Sequence, residues 1–283
     1  MFLLPYWVIL SILAGLGSNT FNFFSRYMLK GKDDPTAYAW YFETLRFIIF
    51  AAIAIVDWKL VVTPKSLIIF VLLGITEMLS IYWYMKMHSY SHLSISSILS
   101  RTRLIWVPLI AFFLVGESLT LFEYIGIAIL FGGLSIVIVP KKLFIDKGAI
   151  YANLAAFMIA LNIVLTKMAL PYASNSVINA AITLPSVFLF PLLMKQTRER
   201  VGTLFRTNIL LKSGAILINV ASVYLFTIAL RFGDSSKVTA IYQGMLIFSV
   251  LAGIIFLKER DNIIRKLLGT GVALIGVICL SLT

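Results

Sequence analysis

The sequence predicts an all-α membrane protein, with ten transmembrane helices arranged as two inverted five-helix repeats. Three observations lead there. Of 283 residues, 60% are hydrophobic and only 13% charged, against roughly half and a quarter in soluble domains. The apolar residues fall in blocks of about 20, the length that crosses a hydrocarbon core. The chain also repeats itself at a common offset, so that five spans in its first half recur in its second.

Breaking the apolar runs at Pro, Gly and charge clusters predicts spans at 5–29, 35–57, 65–87, 92–115, 119–139, 148–170, 175–195, 209–230, 235–257 and 263–282. The opening "MFLLPYWVIL" has neither a basic leader nor a small-residue cleavage site, so it reads as the start of the first span. That span carries Asn19 and Asn22. The second carries Glu43 and Arg46, i,i+3 neighbours that can pair on one helix face, as a structural pair or as part of a coupling device. The third holds Glu77, Tyr82 and Tyr84. The fourth holds Arg101, Arg103 and Trp106, although an arginine at the centre of a membrane helix costs about 2.5–3.5 kcal/mol on insertion scales. Gly126 and Gly133 mark the fifth, Asn162 the sixth, Asn219 and Tyr224 the eighth, Tyr242 and Gln243 the ninth, and Gly269 and Gly276 the tenth. The glycines recur every seven residues on one face and permit close helix approach, within the chain or between two copies. The connections are short and leave no room for a soluble domain.

The repeat is read from matching segments. "EMLSIY" at 77–82 recurs as "NVASVY" at 219–224, a shift of 142 that sets Glu77 on Asn219, Ser80 on Ser222 and Tyr82 on Tyr224. The same shift sets Leu104 on Leu246, Leu109 on Leu251 and Glu117 on Glu259. One more residue of shift sets Gly126 and Gly133 on Gly269 and Gly276. The halves are therefore 1–140 and 148–283, each with five spans. An odd number reverses the side from which the second half enters, so the halves are inverted. Inverted repeats mark secondary transporters, with the solute site near the midplane between halves.

The net charge of +12 reads as membrane topology before nucleic-acid binding. Alternating the connections assigns four Lys and Arg residues to the side of the termini (Lys59, Lys65, Arg231 and Lys237) and sixteen to the other. Basic loops stay cytoplasmic, so both termini are expected outside the cytoplasm, in a plasma membrane of prokaryotic type. The one cysteine, Cys279, excludes an internal disulfide. His88 and His92 have no carboxylate or cysteine at ligand spacing and read as a helix-end pair, so no metal or cofactor is expected.

Several stretches resemble the EamA-like branch of the drug/metabolite transporter superfamily over nearly the whole chain. "GLGSNTFNFFSRYML" is similar to that branch's first span, with Leu16 in place of a tryptophan and Arg26 in place of a lysine. "YFETLRFIIFAA" resembles its second span around a single arginine, here Arg46. "FFLVGESLTLFEYIGIAILFGGL" and "IIFLKERDNIIRKLLGTGVALIGV" resemble its turn-and-glycine signature. The resemblance implies a solute carrier with both termini inside, against the charge count. Arg101 and Arg103 are outside the general family pattern and point to this chain's own specialisation.

Polar groups within spans face a bundle interior or a watery cavity. Arg101 and Arg103, two residues apart, stand roughly 200° apart on an α-helix and cannot share one cavity. Arg101 shares a stripe with Ser94 and Ser97, Arg103 with Ser96 and Ser100. The repeat sets Arg101 on Gln243, polar in both halves, so Arg101 is expected to face the cavity and hold an anion by a forked hydrogen bond. Arg103 is expected to pair or snorkel. Tyr82, Trp106, Asn162, Asn219, Tyr242 and Gln243 would shape the rest of the site. Glu77 is expected as the counter-ion of Arg101 or Arg103, as a proton carrier, or as both.

The expected function is secondary transport of a small metabolite by alternating access, the solute being an anion such as an amino acid, organic acid or phosphorylated metabolite. Protons are a candidate coupling ion, and the assembly a monomer or homodimer in the lipid bilayer. A multidrug exporter of broad specificity and a non-transporting scaffold or receptor are the alternatives. No His-Glu-x-x-His or Gly-x-Ser-x-Gly motif supports a membrane enzyme.

Overall fold

A computed structural model describes residues 4–29, 34–90, 100–138, 147–205, 208–248, 250–251 and 262–282. Its helices are α1 (Tyr6–Leu29), α2 (Pro35–Val56), α3 (Pro64–Tyr90), α4 (Arg103–Val115), α5 (Leu121–Ile138), α6 (Lys147–Ala169), α7 (Asn175–Leu193), α8 (Thr197–Phe205), α9 (Ile209–Phe232), α10 (Ser235–Gly244) and α11 (Ile263–Ser281). Among the described residues six of them, α2, α3, α6, α7, α9 and α11, are long and apolar enough to cross a bilayer, and α4 and α5 are shorter apolar helices. The 24-residue α1 carries Ser18, Asn19, Thr20 and Asn22 in mid-run.

The described residues differ from ten continuous spans in three places. The fourth span enters α4 through a 3-10 turn, Ser100–Thr102. In the ninth, α10 ends at Gly244, and a turn at Met245, with Phe248 N–H bonded to Met245 O at 3.1 Å, precedes further helix at 246–248. The short α8 fills a stretch expected as a connection. Its sequence TRERVGTLF is too polar for a span, and hydropathy alone does not tell a polar helix from a loop. Ser94, Ser96, Ser97, His92 and Glu259 lie outside the described residues, and the side chain of Ser100 is likewise not described.

Helix starts follow local chemistry. Asp34 caps α2, accepting from Thr36 N at 2.9 Å and Ala37 N at 3.1 Å, with Pro35 at the first helical position. Thr120 and Glu123 form a reciprocal capping box at α5: Thr120 N donates to Glu123 Oε2 at 2.6 Å and Glu123 N to Thr120 Oγ1 at 3.3 Å. Asp234 occupies the cap position of α10 but makes no capping bond. Glu117, arriving from the end of α4, accepts instead from Ser235 N at 2.7 Å, Ser236 N at 3.2 Å and Ser236 Oγ at 3.0 Å.

The main packing partners join the two halves: α1 lies on α9, α2 on α7, α3 on α6 and α5 on α11. Exchanging each helix for its repeat equivalent (α1 with α6, α2 with α7, α3 with α9, α4 with α10, α5 with α11) returns the same set. It also turns the α4–α6 contact into the observed α1–α10 contact. Apolar attraction between helices is weak in lipid, so close contact rests on small residues. A Cβ on Gly276 would meet Leu130 N at 2.6 Å and Gly126 O at 2.7 Å; one on Gly269 would meet Gly133 O at 2.8 Å. The four glycines thus pack within the chain. Large apolar side chains such as Ile55, Phe113, Leu192 and Leu210 point outward, between 73% and 86% exposed, as a lipid-facing surface requires.

Among the described residues, contacts at the helix ends tie connections of one side together. On the termini's face, Val61 N bonds Tyr172 O and Ser174 N bonds Lys59 O, while Lys237 bonds Glu123 at 2.9 Å and lies over the Trp7 ring. Lys167, counted within a span, joins this face through Gly233 O and Glu117. On the opposite face Arg200 of α8 pairs with Asp34 through Nε and Nη2.

Candidate functional site

Two polar centres lie inside the bundle. The first forms where α4 begins with the 3-10 turn Ser100–Thr102 and where α10 gives way to the turn at Met245. By the shift of 142, Thr102 corresponds to Gly244, so the two turns fall at equivalent positions. Next to them, Arg101 Nη1 donates to Gln243 Oε1 at 3.0 Å. These two positions are themselves repeat equivalents. Gln243 is 1% exposed, and its Nε2 has no hydrogen-bond partner among the described residues.

Arg103 begins α4 on the other side of the turn. In 3-10 geometry two residues turn by about 240°, against 200° in an α-helix, so it still points away from Arg101. Tyr242 and Tyr84 are the ionisable groups that face it. Among the described residues it has no carboxylate partner, and its buried Nε makes no hydrogen bond. The Tyr242 ring rests on Phe226, centroids 4.8 Å apart, and α1 comes close enough that a Cβ on Gly15 would meet Tyr242 O at 2.5 Å. Asn153 of α6 completes the centre: its Oδ1 accepts from Thr102 Oγ1 at 3.0 Å and Trp106 Nε1 at 3.4 Å. Trp106 is further held edge-on by Phe157.

The second centre joins α2 and α3. Arg46 Nη1 donates to Glu43 Oε1 at 2.7 Å and to Glu77 Oε1 at 3.2 Å, and the guanidinium lies over the Phe42 ring at 4.9 Å. Glu43 is fully buried and Arg46 nearly so. Glu43 and Arg46 therefore pair as their spacing predicts. Glu77 departs from expectation: it meets Arg46 and not Arg101 or Arg103. Sequence periodicity shows which residues share a helix, whereas the choice among three arginines depends on which helices become neighbours.

The remaining expected site residues sort differently. Asn162 Nδ2 donates to Leu73 O and Thr76 Oγ1, both at 3.1 Å, and so ties α6 to α3 instead of lining a void. Asn219 is buried with Oδ1 unpartnered among the described residues. Tyr82 is 41% exposed, and Tyr84 is the α3 tyrosine that faces Arg103. Asn153 was not singled out from the sequence; a lone asparagine near a span's start reads there as an interfacial residue. Asn179, whose Nδ2 bonds Thr227 Oγ1 at 3.1 Å, and Lys212, whose Nζ bonds Leu204 O at 3.0 Å, are further buried polar residues of the same kind.

A bundle of apolar helices that buries charged and amide side chains beside equivalent turns of its two halves defines a polytopic membrane protein with a polar interior. Residues 5–139 and 146–282 each match the EamA-like transporter family, and the chain belongs to it. It is thus a membrane transporter of the drug/metabolite transporter superfamily, built from two EamA repeats. No curated protein matches the chain. Its fold is similar to that of a solved structure described only as "Crystal structure of protein", at 13% identity and a TM-score of 0.75, covering 98% of this chain and 96% of the other.

Proposed function

We propose that the chain is a secondary transporter, not an enzyme, that moves a small anionic solute by alternating access of two inverted halves, 1–140 and 148–283. The observation that carries this reading is the contact between Arg101 and Gln243. Equivalent residues of two repeats touch only where the symmetry axis passes between them. The 3-10 turn at Thr102 and the turn after Gly244 flank the same point, and a solute site on discontinuous helices calls for non-α geometry there. The glycine contacts support inversion: position 126 faces 276 and 133 faces 269, an antiparallel pairing that an axis in the membrane plane produces. Rocking of the halves about this axis opens the centre to one face, then the other.

Arg103 is the residue that recognises the anion. It is a forked donor that neutralises no carboxylate among the described residues, and Tyr84 and Tyr242 stand beside it as hydroxyl donors. Arg101, bonded to Gln243, points the other way and ties the turn at Thr102 to α10. The solute class is a carboxylate or phosphate metabolite such as an amino acid, organic acid or sugar phosphate. The membrane is a prokaryotic plasma membrane, with the basic face cytoplasmic and the termini outside.

The test is a thermal-stabilisation screen of purified protein against such anions, followed by uptake in proteoliposomes. Arg103→Lys keeps the charge but loses the fork, and should weaken anion stabilisation several-fold; Arg103→Gln should abolish it. Anion stabilisation unchanged in folded Arg103→Gln would refute the assignment. Stabilisation by neutral and cationic drugs, with none by anions, would favour the multidrug exporter.

A further inference from the structure

We propose that Glu43 and Glu77 together form a proton-binding site that holds a single proton, with Arg46 as the shared counter-charge. This rests on the second polar centre alone and is independent of the anion reading.

The interior of the bundle does not tolerate net charge. Both carboxyls bond the same atom, Arg46 Nη1, at 2.7 and 3.2 Å, so one cation faces two acids. With both acids ionised the cluster carries a net negative charge inside the bundle. An uncompensated buried charge is strongly unfavourable, and two carboxyls sharing one site do not both ionise readily. One proton restores neutrality. The charged groups facing Glu43 are Arg46 and Glu77, and those facing Arg46 are Glu43 and Glu77. Among the described residues none comes from α7, α8 or α9, which also pack on α2. Glu43 Oε2 is buried without a hydrogen-bond partner, a position better suited to a neutral carboxyl than to a carboxylate oxygen. The proton belongs to the pair and not to either residue, as in other coupled carboxyls.

The geometry also supplies a route. The Glu43 side chain has no exposure, whereas that of Glu77 retains 14%, so protons exchange through Glu77. Glu77 and Tyr84 lie seven residues apart on α3, on the same face and about 10 Å apart along the axis. The shift of 142 sets Asn219 where Glu77 stands, Pro185 in place of Glu43 and Phe188 in place of Arg46. The second half therefore carries no copy of the triad, and each carrier takes up one proton. On uptake a carboxylate oxygen gains the proton as an O–H; on release the carboxylate forms again.

The experiment is infrared difference spectroscopy of the purified full-length chain between neutral and alkaline pH, with and without 13C-labelled glutamate. The wild type should show the C=O stretch of one protonated carboxyl, shifted by the label. Glu43→Gln and Glu77→Gln should each lose it, because the remaining carboxylate and Arg46 then neutralise each other. Arg46→Gln should show two such carboxyls. Absence of the labelled band from the wild type, which needs no variant to fold, would overturn the proposal. So would its persistence in either single glutamine variant.

Discussion

Replacing Gly276 by alanine tests whether the two halves are held by backbone contact between α5 and α11. The new Cβ would lie 2.6 Å from Leu130 N, 2.7 Å from Gly126 O and 2.8 Å from Leu130 Cα, while ordinary contact begins at 3.4 Å. All three atoms are backbone, so no side chain can turn aside, and the helices must separate by roughly 0.8 Å at this point. Forced overpacking of this kind costs about 1–3 kcal/mol. Gly271, on the same helix, has nothing within 4 Å of its added Cβ and serves as the control. Both substitutions gain the same helix propensity, close to 1 kcal/mol, so their difference isolates the clash. Unfolding of the two purified variants in a denaturing detergent should place Gly276→Ala about 1–3 kcal/mol below Gly271→Ala. Equal stability of the two would refute the close α5–α11 packing and the antiparallel glycine register with it.

Three further outcomes are expected. Glu117→Ala should destabilise the fold by about 1–2 kcal/mol, the range of a lost helix cap, and by more than Asp234→Ala, since Glu117 and not Asp234 supplies the N-terminal bonds of α10; detergent unfolding of the pair measures it. Burial pushes the Asp34 carboxyl up, but Arg200 and the N–H groups of Ala37 and Thr36 outweigh it and hold the group below its ordinary value. Its contribution is therefore complete above roughly pH 4 and is lost as the pH falls through the lowered value, so the stability difference between wild type and Asp34→Asn should shrink on acidification and stay constant near neutrality. A fluorescent protein active only in the cytoplasm, fused after Thr283, should stay dark if the basic face is cytoplasmic; fluorescence would reverse the orientation.

Much of this protein was legible in the sequence because the bilayer constrains it so tightly. Backbone polar groups must be satisfied within each segment, so apolar blocks of about 20 residues announce helices, and the Lys and Arg residues sort the connections onto two faces. The offset of 142 revealed the repeat, and the glycine spacing marked α5 and α11 as close-packing helices. The i,i+3 spacing of Glu43 and Arg46 was enough to pair them, since both ends of that contact lie on one helix.

Tertiary structure decided every contact between helices. Which arginine receives Glu77 depends on α3 lying against α2, and no period in the sequence encodes that neighbour. Arg101 meets its own repeat equivalent, Gln243, a contact that the offset between the repeats does not by itself announce. The 3-10 turn at Thr102 and the turn after Gly244 are equally invisible to hydropathy, because a turn and a helix of the same residues have the same composition. Asn162 and Asn153 look alike in the sequence, yet one ties two helices together and the other holds Trp106 and Thr102 beside the 3-10 turn. An amide's role follows from what lies within about 3 Å of it, and a membrane sequence, uniform in its apolar background, leaves that to the packing of the helices.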